Sequence, residues 1–309
     1  MDSEKELAPH VASVERLATG EPIVGGQPVP AGIPGRATST RLGRAVFYAI
    51  LVAVALLWFT PFFWSVSTSL KSLPESVRGF DLIPDNPSLR AYRDALTEFN
   101  FTRYTANSAF LATSLTLSNL LLASLGGYAF ARLRFPGREV LFMLVLATLM
   151  IPDQLRLVPV FQMLTNWHLI GTYQGYMLIK LVEATSLFLM RQYFLTIPKD
   201  YEEAARLDGA GYFKTFRKVM LPLAAPALAA ITILQFQGIW NEFFWPLIVL
   251  QDESKYTLPI GISNFVGVYE TNWPPLMAAS VIAIIPVALI FVVFQRYFIA
   301  GIAAAGVKG

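Results

Sequence analysis

Six apolar runs alternate with polar stretches along this chain, at 45–66, 107–131, 140–161, 170–194, 223–250 and 276–299. Crossing a bilayer as a helix takes about 20 predominantly apolar residues. The pattern therefore predicts an all-α integral membrane protein with six transmembrane helices. Two runs are imperfect. The third is interrupted by Pro152-Asp153-Gln154, which reads as a proline kink with a carboxylate at the outer interface. The fourth contains Lys180 and Glu183.

The remaining segments follow. Residues 1–43 are rich in Gly, Pro and Ser and show no apolar period, so a disordered cytoplasmic tail is expected, with no role for His10. The first apolar run starts too late and is too long for a signal peptide. A transmembrane domain over 44–299 and a short cytoplasmic tail at 300–309 complete the division. The polar stretch 198–222 lies inside the membrane domain as a connection between its fourth and fifth spans.

Charge placement orients the spans. Arg36, Arg41 and Arg44 precede the first; Arg132, Arg134 and Arg138 sit between the second and third; Lys199, Arg206, Lys214, Arg217 and Lys218 fall in 198–222. By the positive-inside rule these segments are cytoplasmic, as are both termini. The long loop 67–103 departs from the rule with five basic residues. Trp58, Trp64, Trp167, Trp240, Trp245 and Trp273 all fall near the external ends of the runs, where an aromatic belt is expected.

Composition narrows the chemistry. Of 309 residues, 55% are hydrophobic and 15% charged, against roughly 25% charged in soluble domains. There is no Cys, which excludes disulfides, thiolate metal sites and Cys nucleophiles. The two His, His10 and His168, are too few for a His-based zinc site. The net charge of +3 is small, and neither a metal nor a nucleic-acid partner is expected. The glycines at 301 and 306 before Lys308 imitate a phosphate loop poorly: the Lys is one residue late and no Ser or Thr follows.

The stretch 198–222 is the most informative. Asp200 with Glu203 three residues on forms a capping-box pattern. Gly209-Ala210-Gly211 breaks the helix and allows a turn with positive φ. Residues 212–220 form a second short helix, and Pro222 falls in the first turn of the fifth span. Ala204 and Ala205 leave a smooth surface for close approach by a partner. By its residues alone, a stiff inter-helix loop fits as well as a docking element.

The spacing of Glu203-Ala204-Ala205, Gly209, Val219, Leu221 and Pro222 resembles the EAA loop of ABC importer permeases, with Val219 where Ile is usual. The segments 188–192, 204–210, Trp240-Asn241-Glu242 and the ending Gly306-Val307-Lys308-Gly309 resemble the carbohydrate-uptake branch, and within it the six-span partner of the maltose type. The resemblance covers about 44–309. It implies the type I importer transmembrane fold and an ATPase docked on Glu203, Ala204, Ala205, Asp208, Gly209, Leu221 and Pro222. It also implies a second, different permease, two copies of the ATPase that hold ATP and Mg, and an extracytoplasmic sugar-binding protein contacted by 251–275. The implied location is the inner membrane of a prokaryote, in contact with lipid, and no cofactor belongs to this chain.

Two groups are candidates for the translocation path or the permease interface. Lys180 and Glu183 share a helix face at i, i+3. Lys180 lies about 16 Å along the helix from Arg191, near mid-depth, where a charge costs about 2.5–3.5 kcal/mol; a mutual ion pair at a helix contact is the alternative. Gln235, Gln237, Asn241 and Glu242 lie among aromatics in the fifth span. Asn241 and Glu242 are about 28 Å from Pro222, near the outer end, and interhelical hydrogen bonding is their alternative. The function expected is a permease subunit of an ATP-driven sugar importer, with no catalytic residue of its own. Another small solute such as a glycerol phosphodiester, or a stand-alone secondary transporter, are the other readings.

Overall fold

The computed structural model describes residues 41–79, 81–98, 100–267 and 271–306. The expectations for most of the N-terminal tail, including His10, lie outside the described residues. Among the described residues every element is helical apart from one isolated bridge between Val266 and Thr271. Two compact units divide after Phe59. Helix α1 (Arg41–Ser69) begins in the first and ends in the second.

In the second unit, α2 (Leu73–Ser76) and α3 (Arg90–Glu98) lead to α4 (Phe101–Arg132). Next come α5 (Arg138–Thr148), a 3-10 turn (Asp153–Arg156), α6 (Leu157–Asn166), α7 (Tyr173–Lys180) and α8 (Ala184–Thr196). Then follow α9 (Asp200–Leu207), α10 (Tyr212–Thr215), a π turn (Phe216–Met220), α11 (Leu221–Leu223) and α12 (Ala225–Trp240). The chain continues through α13 (Phe244–Val249), a 3-10 turn (Glu253–Lys255) and α14 (Leu258–Ser263) to α15 (Trp273–Gly306).

Among the described residues, only α1, α4 and α15 are single helices long and apolar enough to cross a membrane. The third apolar run is broken, with α5 and the 153–166 segment meeting at 101°. The fourth is split into α7 and α8 by residues 181–183, and the fifth breaks after Trp240. Continuous apolar sequence thus folds as interrupted helix. Broken helices are tolerated at membrane depth where other groups satisfy the freed backbone.

Helix α4 is the central post. Its first half packs into one apolar core with Leu111, Leu115, Leu164, Tyr176, Phe236 and Trp240. Its second half enters another, with Ala123, Tyr128, Met190, Phe194, Phe216 and Ile231. Against α8 the approach is so close that a Cβ on Gly127 would fall 2.6 Å from Met190 Cβ. Small residues permit this kind of packing between membrane helices. Asn119 lies between the two cores, as Gln235 does on α12, so a polar layer separates them.

Trp240 and Trp245 belong to the first core, at 2% and 1% exposure. The sequence placed them in an interfacial belt; the structure buries both, with Trp240 Nε1 donating to the Ala283 carbonyl at 3.0 Å. Residues 251–267 fold back onto α4. Asn107 donates to the carbonyls of Ser254 and Tyr256, and the Leu258 amide donates to Ser108 Oγ at 2.8 Å. The Asp252 carboxyl caps the 3-10 turn through the Ser254 amide, and hydrogen bonds from Ser254, with Lys255 beside it, hold it below the usual carboxylate range.

Candidate functional site

Two sites emerge, one on the 198–222 loop and one at the helix breaks. Helix α9 opens with Asp200, Glu202 and Glu203 in its first turn, where negative side chains complement the helix dipole. Asp200 is the first helical residue rather than the cap: Lys199 holds the cap position without a side-chain bond, so the expected capping box does not form. The helix ends as the glycine predicts. Gly209 has φ 75°, its amide donates to Arg206 O, and the Ala210 amide donates to Ala205 O. This paired pattern is the Schellman stop. Gly211 is extended instead, with φ −71°, and the π turn then carries the chain to Pro222, whose missing N–H falls in the first turn of α11.

The two faces of α9 differ. Glu202 and Ala205 are buried, whereas Glu203, Ala204 and Asp208 are exposed. The smooth Ala204–Ala205 surface is therefore a single Ala204 site, because Ala205 turns inward. Leu207 is 90% exposed, and Tyr212 and Phe213 across the turn are exposed as well. These three were not singled out from the sequence; large apolar side chains on a polar stretch are the signal that could have found them. The Arg206 guanidinium sits 4.9 Å over the Tyr212 ring and ties the two arms together. Leu221 and Pro222 lie at the foot of the second arm, where the chain turns by 74° into α12.

Beneath α9, Arg132 at the end of α4 is 5% exposed in its side chain. It donates to the carbonyls of Phe194, at 2.7 Å, and Ile197, and lies 3.8 Å from Glu202. These carbonyls belong to the C-terminal end of α8, where a cation is stabilised by the helix dipole. Arg132 thus joins α4, α8 and α9.

At the breaks, Lys180 Nζ reaches Glu242 at 3.3 Å, Asp153 at 3.5 Å and Glu183 at 3.6 Å. Arg156 pairs with the same Asp153, and Trp245 Nε1 donates to it at 3.2 Å. The sequence saw Lys180 with Glu183 but placed Glu242 nearer the outer end and Asp153 at an interface. The structure brings all four to one level because three apolar runs break there. Among the described residues no group of three or more His, Asp or Glu is placed to hold a metal ion; the Lys180 ammonium is the cation at the centre of these carboxylates.

Asn119, fully buried on α4, spans the gap between α7 and α8. Its Nδ2 donates to Lys180 O at 3.0 Å and its Oδ1 accepts from the Glu183 amide at 2.8 Å. One carboxamide therefore replaces the helical bonds lost at 181–183. Gln235 joins this layer by donating to Ser186 Oγ at 2.7 Å. Gln237 and Asn241 do not: both are exposed, and Asn241 lines a separate cleft of about 410 Å³ with Trp240, Phe243 and Ser263.

Residues 119–303 match the family described as binding-protein-dependent transport system inner membrane component. The arabinooligosaccharides transport system permease protein of Bacillus subtilis is 38% identical over 274 residues, covering 87% of this chain and 96% of that protein. The diacetylchitobiose uptake system permease protein of Streptomyces coelicolor is 34% identical over 264 residues, covering 84% and 87%. A crystal structure of a bacterial ABC transporter involved in the import of the acidic polysaccharide alginate includes a chain similar to this one. That match has a TM-score of 0.75 and 28% identity, over 86% of this chain and 99% of that one.

Proposed function

This chain belongs to the family of binding-protein-dependent transport system inner membrane components, and we propose that it forms half of the translocation path of an ATP-driven importer of an oligosaccharide. It is a transport subunit of the type I importer fold, not an enzyme. An ATPase and a substrate-binding protein are the partners such a permease works with. In this reading the chain crosses the inner membrane of a prokaryote six times, over the segments given by its apolar runs, with both termini cytoplasmic. It pairs with a second, different permease, and two ATPase copies hold ATP and Mg. The named sugars of the relatives support the substrate class.

The observation that carries the docking assignment is the face of α9 and α10 bearing Glu203, Ala204, Leu207, Asp208, Tyr212 and Phe213. It is exposed, apolar at its centre and fixed from behind by Arg132. Gly209 sets the angle between the two arms, while Leu221 and Pro222 pass a movement of the loop into α12. The Lys180 cluster faces the path or the second permease. Asp153 and Glu183 keep 35% of their side chains exposed, and at membrane depth such charges face water or protein rather than lipid.

Purification of the tagged chain from native membranes tests the assignment. An ABC ATPase and a second permease should accompany it, and the recovered complex should take up oligosaccharide only with ATP and the binding protein. Uptake by the chain alone would favour a secondary transporter. Uptake of a glycerol phosphodiester in place of sugars would keep the fold and change the substrate.

A further inference from the structure

The turn between α4 and α5 and the start of α9 enclose a cleft of about 900 Å³. Its cations are Arg132, Arg134, Arg138, Lys199 and Arg206, and its carboxylates are Glu202 and Glu203. A second hollow of about 520 Å³ shares Arg134 and Arg138 and adds Phe135, Glu139 and Val140. The two adjoin where α4 and α8 end and α5 begins.

Most of this charge is engaged within the chain. Arg132 bonds to the Phe194 and Ile197 carbonyls and pairs with Glu202. Arg138 pairs with Glu139 and donates to Leu133 O at 3.1 Å. Arg206 lies over the Tyr212 ring. Arg134 and Lys199 differ. Both are exposed, and among the described residues neither side chain makes a hydrogen bond or an ion pair. Glu203 is the carboxylate left to face them, so the cations prevail. A concave site lined by one sign of charge focuses the field on the opposite sign, and the planar guanidinium of Arg134 matches a phosphate group.

The hollow also has an apolar side. Helix α5 leaves it with Val140, Leu141, Met143 and Leu144 all exposed, directly after Arg134 and Arg138. A soluble phosphate would use the cations and leave this face bare, whereas a phospholipid uses both. We propose that the two hollows hold the headgroup of an acidic phospholipid, with its phosphate between Arg134 and Lys199 and its chains along α5. Basic pockets between membrane helices bind such headgroups. The site borders the face assigned to the ATPase, because Glu203 and Tyr212 line the cleft too. It requires only that α4 and α5 lie in the membrane, whatever solute the chain helps to move.

The test uses the assembled transporter, extracted from vesicles of equal parts phosphatidylglycerol and phosphatidylcholine, with the lipid it retains counted by mass spectrometry. Wild type should retain phosphatidylglycerol several-fold over phosphatidylcholine. Arg134→Gln with Lys199→Gln should lose most of that excess; both side chains are exposed, so the fold should hold. Lys214→Gln with Lys218→Gln removes the same charge from exposed positions on the other arm of the loop and should keep the excess. Millimolar inorganic phosphate should not displace the lipid. No excess in wild type, or equal losses in the two double variants, overturns the inference. Displacement by inorganic phosphate would make this a soluble-anion site. Loss of the ATPase from the Arg134 and Lys199 variant, with its lipid retained, would give the cleft to the ATPase. Either result overturns the lipid assignment. Lipid retention is read without transport, so this assignment and the transport function can fail separately.

Discussion

Lys180 Nζ lies 3.3 Å from Glu242 Oε2, and each residue stands where its helix stops. Helix α7 ends at Lys180 and α12 ends at Trp240, two residues before Glu242. Asp153 arrives from a third break and Glu183 holds the cap position just before α8. One ammonium therefore ties four helix ends together.

Replacing Lys180 with Met should cost more than replacing any one of its partners. It leaves Asp153, Glu183 and Glu242 facing one another with only Arg156 to balance them. Removing one partner of a buried pair costs about 3–5 kcal/mol; the part-exposed carboxylates bring the expectation to about 1–3 kcal/mol. Thermal unfolding of the purified complex measures it. Adding Glu242→Gln to Lys180→Met should recover part of the loss.

Asn119→Leu fills the same volume but strands the Lys180 carbonyl and the Glu183 amide. Each unsatisfied buried group costs about 1–3 kcal/mol. The chain can escape only by closing the helix across 181–183, which would pull Lys180 away from Glu242. The variant should therefore be less stable and slower in transport. The chain has no native Cys, so a single cysteine introduced at the exposed Val182 gives a labelling rate that reports whether the break survives.

Gly209→Ala should be strained by its φ of 75° alone, because no atom lies near an added Cβ. The expected cost is about 1–2 kcal/mol, localised to the turn. Gly209→Asn should be milder, since Asn adopts the left-handed region more readily. Gly209→Pro should keep the membrane helices and uncouple ATP hydrolysis from uptake. Uptake and hydrolysis assayed on the same vesicles decide between these outcomes.

Leu207→Asp should leave the isolated chain as stable as wild type, because the side chain is 90% exposed; surface changes usually stay within about 0.5 kcal/mol. Its effect should appear in recovery of the ATPase during purification, which should fall sharply. A bulky residue at Ala205 is a poorer probe, because that side chain is buried and the change would disturb packing as well as docking.

Much of this was legible in the sequence. Apolar runs gave the membrane class, and the spacing from Glu203 to Pro222 gave the loop, its turn at Gly209 included. The breaks were not legible at 181–183. No proline or glycine marks that gap; what opens it is Asn119, on another helix, offering the bonds the backbone gives up. Counting residues run by run placed Lys180 near mid-depth and Glu242 near the outer end; their 3.3 Å contact puts the two at one level, a relation that separate counts along discontinuous runs do not supply. Ala205 was misread because periodicity on an eight-residue helix does not say which face is inward. That choice is made by Arg132 and Glu202, whose pairing is tertiary.

The most direct test of the coupling assignment is oligosaccharide uptake into proteoliposomes holding this chain, its partner permease and the ATPase, with binding protein outside and ATP inside. Uptake should require all of these components, and Leu207→Asp should abolish it while the permease pair stays folded and inserted. ATP-driven uptake at the wild-type rate by Leu207→Asp, or uptake without the ATPase, would contradict the account.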